Sequence, residues 1–351
     1  MFKYISKVSN LIPPEIAHSL FLNFLKYDFY KNKFKDDSLK IDLWGKKFEN
    51  PIGLAAGFDK NAEVINGCLN MGFGFVEVGT VTPRPQNGNP KPRVFKIPEH
   101  SAVIQRLGFN NKGIENFLIN VLQYRKSGGK GLVGINIGKN KDTENYISDY
   151  VSLVENCSNY FDYIVVNVSS PNTAGLREIQ KKDKLNSLLK ILSDKNKHSI
   201  PLLVKISPDI NKEDLQNICQ VSLNEQWING LIVSNTTISR KSLKNKPLLN
   251  SWKIREEGGL SGPPLFEKSN LILRETFKLT NGKIPIIGVG GILTAEDAFE
   301  KISLGASLIQ IYTALIYEGP AVVFRILKGV NEILISKGFS KIKEAIGHKV
   351  L

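Results

Sequence analysis

The stretch YIVVNVSSPNTAGLR, residues 163–177, begins as a run of apolar and β-branched residues and ends in hydroxyls, amides, a proline and a glycine. A strand without apolar–polar alternation is one covered on both faces, as in a parallel sheet flanked by helices. Seven further runs share that character: NPIGLAAG (50–57), FVEVGTV (75–81), GLVGINIG (131–138), PLLVKIS (201–207), GLIVSNT (230–236), IPIIGVGG (284–291) and LIQIYTAL (308–315). Most gaps between them hold a helical pattern, including 61–71, 183–195, 212–223 and 294–303. Thr294 with Asp297 three residues on has capping-box spacing. Eight strand–helix units in about 265 residues match a TIM (β/α)8 barrel, typically about 250 residues long. An open doubly wound sheet has fewer strands and opens a helix with G-x-G-x-x-G, which GVGG at 288–291 does not supply. The expected class is therefore α/β, a TIM barrel over 46–351 with a small helical extension over 1–45.

In the extension, SNLIPPEIAHSLFLNFLKYDFY (9–30) places Pro13-Pro14 where a helix starts, followed by Ile16, Leu20, Phe21, Phe24 and Leu25 at helical spacing. Phe2, Ile5 and Val8 suggest a short helix before it. Lys3, Lys7, Lys26, Lys31 and Lys33 flank the apolar stripe, as at a membrane interface. From these residues alone an ordinary helix packed on the outside of the barrel is the slightly better reading. The chain has 351 residues, 42% of them hydrophobic, which excludes a disordered composition. Its three cysteines, Cys68, Cys157 and Cys219, form neither a disulfide framework nor a zinc pattern, so a reducing compartment is expected. No run approaches the roughly 20 apolar residues of a membrane span, and no secretory signal is expected. The net charge of +14 suits anionic ligands, an anionic membrane face or simply a lysine-rich surface. No basic run interleaved with aromatics points to nucleic acid, and none is expected as a partner.

Barrel chemistry sits at the C-terminal ends of the strands. In order, those ends supply Ala55, Ala56, Gly57, Asp59 and Lys60, then Thr80, Asn136, Asn167 with Ser170, Lys205, Ser234 with Asn235 and Thr236, Gly290 with Gly291, and Tyr312 with Thr313. With one carboxylate and none of the four histidines at a strand end, the set suits neither a metal site, nor a glycosidase, nor a Ser-His-Asp hydrolase. It suits a flat polar ligand beside an anion. The glycines after the seventh strand and the loop after the eighth are the usual phosphate cradle of this fold. Flavin mononucleotide (FMN) is the simplest ligand of that kind, with Lys205 placed to favour its reduced, anionic form.

These residues resemble the dihydroorotate dehydrogenase family, specifically its class 2, quinone-dependent, membrane-associated branch. The resemblance runs through NPIGLAAGFDKNAE, GFVEVGTVTPRPQNGNPKPRVFK, RLGFNNKG, GINIGKNKDT, NVSSPNTAGLR, VSNTT, GGLSGPPL, PIIGVGGI and GASLIQIYTAL, in family order from residue 50 to about 315. It implies oxidation of dihydroorotate to orotate in pyrimidine biosynthesis, with a proton leaving C5 and hydride passing from C6 to the flavin. It implies Ser170 as the base, where the class 1 branch has cysteine. Lys60, Gln105, Arg106, Leu107, Gly108, Phe109, Asn167, Asn172, Asn235 and Thr236 would bind substrate. Ala55, Ala56, Gly57, Phe58, Asp59, Thr80, Asn136, Asn167, Lys205, Ser234, Gly262, Gly291, Tyr312 and Thr313 would hold FMN. Gly175 and Arg177 would belong to a closing lid. His18, Lys96 and Tyr312 would face a membrane quinone entering beside the N-terminal helices. The expected protein is a metal-free monomer, peripheral on the cytoplasmic face of the cell membrane. Three positions depart from the family pattern: Gln105 stands for an asparagine, Lys96 for an arginine with its bidentate fork, and Ser234 for a threonine. The competing expectations are a class 1-like enzyme using fumarate or NAD+, an RNA-binding flavin barrel, and an extension that docks a protein partner.

Overall fold

In the computed structural model, residues 12–27, 30–225, 227–243 and 251–350 are described; the expected short helix around Phe2, Ile5 and Val8 lies outside them. Eight parallel strands close a barrel: β1 Ile52–Leu54, β2 Phe75–Val81, β3 Leu132–Ile137, β4 Tyr163–Asn167, β5 Leu202–Ile206, β6 Gly230–Val233, β7 Ile286–Val289 and β8 Leu308–Ile311. Each pairs with its sequence neighbours, and β8 closes on β1 through Ile309–Ile52 and Ile311–Leu54. Every strand falls within the run expected for it. Seven of them are shorter than their runs, whose end residues pass into the flanking loops, and β2 fills its run. Helices follow at Lys182–Lys195, Lys212–Asn224 and Ala295–Ser303. Thr294 and Asp297 form the reciprocal capping box. The helix expected over 61–71 is confined to Ile65–Asn70, because the Asp59 carboxylate draws in the N–H groups of Glu63 and Val64 just before it.

Two small sheets are added. A hairpin, Ile41–Leu43 with Lys46–Phe48, presents Trp44 to the N-terminal ends of the strands. There the Trp44 Nε1–H donates to Asn229 O at 2.8 Å. The Trp44, Phe48, Phe75 and Tyr163 rings pack with centroids 5.3–6.3 Å apart. Phe75 and Tyr163 are the first residues of their strands, so this cluster floors the barrel. At the opposite end, Val94–Ile97, Ala102–Gln105 and Gly259–Ser261 form an antiparallel sheet.

Helix α1, Pro14–Leu25, lies across that open end. Its Glu15 pairs with Arg93 at 2.8 Å, and the same guanidinium donates to the carbonyls of Asn87 and Asn89. The ring of Phe21 meets that of Phe58 edge-on at 5.9 Å. On the outer face Ile16 and Leu20 stay 53% and 57% exposed, with Phe24 and Tyr27 continuing the stripe. No described helix is long and apolar enough to cross a membrane.

Candidate active site

A cavity of about 790 Å³ opens between α1 and the C-terminal ends of the strands. The loop after β1 contributes residues 55–61; Lys205, Ser234, Asn235, Thr236, Gly290, Gly291, Tyr312 and Thr313 come from the later strand ends. Gln105 and Leu107 line one side; His18 and Lys96 line the α1 side.

Beside it, strands β2, β3, β4 and β6 join in a polar network. Thr80 Oγ1 donates to Asn136 Oδ1 at 2.5 Å, and Asn167 Nδ2 donates to both Thr80 Oγ1 and Asn136 Oδ1. Ser169 Oγ donates to Asn167 Oδ1 at 3.2 Å and accepts from Asn235 Nδ2 at 3.0 Å. The network ends on Glu77, fully buried, whose oxygens accept from Asn136 Nδ2 at 2.8 Å and Gln310 Nε2 at 2.6 Å. Glu77 and Gln310 lie on β2 and β8, with β1 between them, so they meet inside the barrel. The strand-end inventory did not contain Glu77, because it sits in mid-strand. A charge inside the apolar run FVEVGTV was its one sequence signal.

Ser170, 6% exposed, sits in the closed loop that follows β4. Its Oγ accepts from the Asn172 N–H at 3.2 Å, and Asn172 Nδ2 donates to Gln105 Oε1 at 3.2 Å. Gln105 therefore links the two loops, its Oε1 also accepting from the Leu107 N–H. Arg177 fastens the loop, donating to Ser169 O, Thr236 O and Asp209 Oδ2 at 3.0–3.1 Å. Gln105 and Asn235 line the cavity, whereas Ser170 and Asn172 stand just behind that lining, joined to it through Gln105. Arg106 is directed elsewhere: its guanidinium pairs with Glu256, bonds Pro92 O and stacks over the Phe95 ring. Gly108 and Phe109 support the loop through positive φ and through carbonyls that accept from Gln86.

Electrostatics single out the cations. Lys205 is 5% exposed, and its ammonium finds no acceptor among the described residues. Burial pushes its pKa down and Glu77 opposes this. Burial, helped by Arg93, lowers Lys60 to about 8. Burial and Lys60 lower His18 to about 4, so its ring is neutral and Nε2–H donates to Phe58 O at 2.9 Å. Burial pushes Tyr312 up to about 12, and its hydroxyl donates to Gly57 O. The Asp59 carboxylate, raised to about 6 by burial, is occupied by the N–H groups of Glu63 and Val64. Lys96 Nζ lies over the Tyr317 ring at 5.4 Å. Among the described residues no group of three or more His, Cys, Asp or Glu could hold a metal.

Two buried side-chain atoms at the cavity, Thr236 Oγ1 and Gln310 Oε1, lack partners among the described residues, and the N–H groups of Gly291 and Thr313 make no backbone hydrogen bond there. With Lys205 they make a lining that calls for a polar, anionic guest.

The sequence profile of the family described as dihydroorotate dehydrogenase matches residues 38–334. The chain belongs to the dihydroorotate dehydrogenase family. It is 47% identical to the dihydroorotate dehydrogenase (quinone) of Parvibaculum lavamentivorans, over 100% of this chain and 99% of that one. It is 46% identical to the mitochondrial dihydroorotate dehydrogenase (quinone) of Oryza sativa, over 96% of this chain and 77% of that one. The crystal structure of the Eimeria tenella dihydroorotate dehydrogenase in complex with ferulenol superposes with a TM-score of 0.90 at 38% identity, covering 96% of each chain. The likeness to the quinone-dependent branch and the barrel fold both hold. Dihydroorotate dehydrogenases are flavin-dependent, and the unpartnered lysine, amides and hydroxyl fit such a guest.

Proposed function

We infer that this chain oxidises (S)-dihydroorotate to orotate, a step of pyrimidine biosynthesis, with FMN as the flavin and a membrane quinone as final acceptor. What carries the reading is the meeting of Ser170, Asn172 and Gln105 beside a cavity lined by Lys60 and the buried Lys205. Bound FMN supplies a hydride acceptor. Ser170 Oγ takes the proton from substrate C5. Burial keeps bulk water from the hydroxyl, the Asn172 N–H holds Oγ in place, and the serine's own proton passes on to solvent as the C5 proton arrives. Lys60 pairs with the substrate carboxylate, while Gln105, Leu107, Asn172, Asn235 and Thr236 orient the ring. Asn167 acts through the network, its amide being engaged by Thr80, Asn136 and Ser169. Arg106, Gly108 and Phe109 act by shaping the segment.

Ala55–Asp59, Thr80, Asn136, Lys205, Ser234 and Gly262 would hold the flavin ring and its chain, and Gly291, Tyr312 and Thr313 its phosphate. Lys205 would supply a positive charge to the ring. Quinone approaches between α1 and the barrel, past His18, Lys96 and Tyr312. Residues 1–45 form the quinone and membrane element and 46–351 the catalytic barrel. The exposed stripe of Ile16, Leu20, Phe24 and Tyr27 supports peripheral membrane contact; a monomer on the cytoplasmic face completes the proposal.

The test is stopped-flow flavin reduction by dihydroorotate in Ser170→Ala. A positioned base is worth about 10²–10⁴-fold, so reduction slows on that scale while flavin stays bound. Reduction at the parental rate would assign the base elsewhere.

A further inference from the structure

Behind the Gly290–Gly291 turn lies a charged group that the chemistry above does not use. Lys301, on the helix Ala295–Ser303, is fully buried. Its Nζ donates to Ser269 Oγ and to Asn270 Oδ1, both at 2.7 Å, and lies over the Phe266 ring at 5.2 Å. No carboxylate pairs with it among the described residues; Asp297 and Glu267 act only from further away. Burial lowers its pKa to about 7 against the pull of Asp297 and Glu267, so an anion brought near favours its charged form.

Ser269, on the helix Phe266–Thr280, carries the contact onward. Its Oγ reaches Gly290 O at 3.1 Å and Phe266 O at 2.9 Å. In a trans peptide the C=O and the next N–H point in opposite directions. Holding Gly290 O toward Ser269 therefore turns the Gly291 N–H away from that helix, toward the cavity that Gly290 and Gly291 line. Neither glycine tolerates a side chain: a Cβ on Gly290 would meet Ser269 at 3.0 Å, and one on Gly291 would meet Phe266 at 2.5 Å. The turn is thus pressed directly onto the helix that carries Ser269.

We propose that Lys301 is a positioning residue for the cofactor's phosphate. Through Ser269 it fixes the Gly290–Gly291 peptide with its N–H facing the phosphate, and it places a positive charge behind that peptide. The proposal rests on the reading of Gly291 and Thr313 as phosphate holders, and it assigns Lys301 no contact with the flavin ring.

The test compares FMN with riboflavin, which lacks the phosphate. Flavin-loaded parent, Lys301→Met and Ser269→Ala proteins are diluted, and flavin release is followed by recovery of its fluorescence. Riboflavin is measured in the same way after exchange. FMN affinity should fall about tenfold or more in each variant, the scale of a hydrogen bond to a charged group. Riboflavin affinity should change by less than about twofold. Equal weakening of both flavins, or no change in either, overturns the proposal by showing a merely structural role or none. Should Lys301→Met not fold, Ser269→Ala carries the same two outcomes. If the parent binds riboflavin as tightly as FMN, the phosphate reading itself falls, and the proposal with it.

Discussion

Replacing Glu77 by Gln preserves shape and removes one acceptor from the barrel interior. The carboxylate is met by two amide donors, Asn136 Nδ2 at 2.8 Å and Gln310 Nε2 at 2.6 Å, with the Tyr163 hydroxyl at 3.5 Å. A glutamine must turn its own N–H2 toward one of them; if Gln310 flips to accept it through Oε1, the Gln310 N–H2 loses its acceptor instead. Flipping Asn136 in compensation only moves the conflict, because Thr80 Oγ1 and Asn167 Nδ2 already donate to its Oδ1. One charge-assisted hydrogen bond, about 1.5–3 kcal/mol, is lost, and one buried donor is left unsatisfied at about 1–3 kcal/mol. Removing a buried charge offsets part of this, leaving a net cost of about 3 kcal/mol. For a chain of this size that is a fall in Tm of about 6 °C, at about 2 °C per kcal/mol. Thermal melts of flavin-saturated parent and Glu77→Gln at neutral pH measure it. A variant melting within about 1 °C of the parent, under about half a kcal/mol, would mean that the network does not hold the barrel interior together.

Gly134→Ala should cost about 2–3 kcal/mol by overpacking, since its Cβ would lie 2.0 Å from the buried Tyr163 ring; the urea midpoint reports this. His18 titrates at about 4 when folded, below its ordinary 6.5, so its stabilisation is complete above pH 6.5 and is lost as pH falls toward 4. Between pH 7 and 5 the parent should lose up to about 2 kcal/mol that His18→Gln does not lose, as measured by melts at the two values. Deleting residues 1–27 should abolish sedimentation with vesicles of anionic phospholipid; undiminished binding would remove α1 as the membrane element.

The barrel was legible because each strand is buried on both faces, so that its apolar run needs no partner to be recognised. The short antiparallel sheet was not: Val103 pairs with Ser261 across more than 150 positions, and three- or four-residue strands leave no local periodicity. The strand-end rule brought Lys205, Asn235 and Tyr312 to one cavity, since position in a parallel strand fixes where a side chain emerges. It could not show that Arg106 would be drawn off by Glu256, or that Asp59 would serve its own loop. Those outcomes depend on partners supplied by distant segments. Glu15 and Arg93 escaped notice for the same reason: neither is unusual in sequence, and only folding makes them a pair that fastens α1.

The Trp44 hairpin turns the barrel into a blind well. Whatever reaches the neighbourhood of Lys205 must back out over the same rim, and α1 roofs part of that rim. Access is thereby one-ended: the mouth is bordered by a helix that stands outside the eightfold repeat, and the floor is sealed by four aromatic rings.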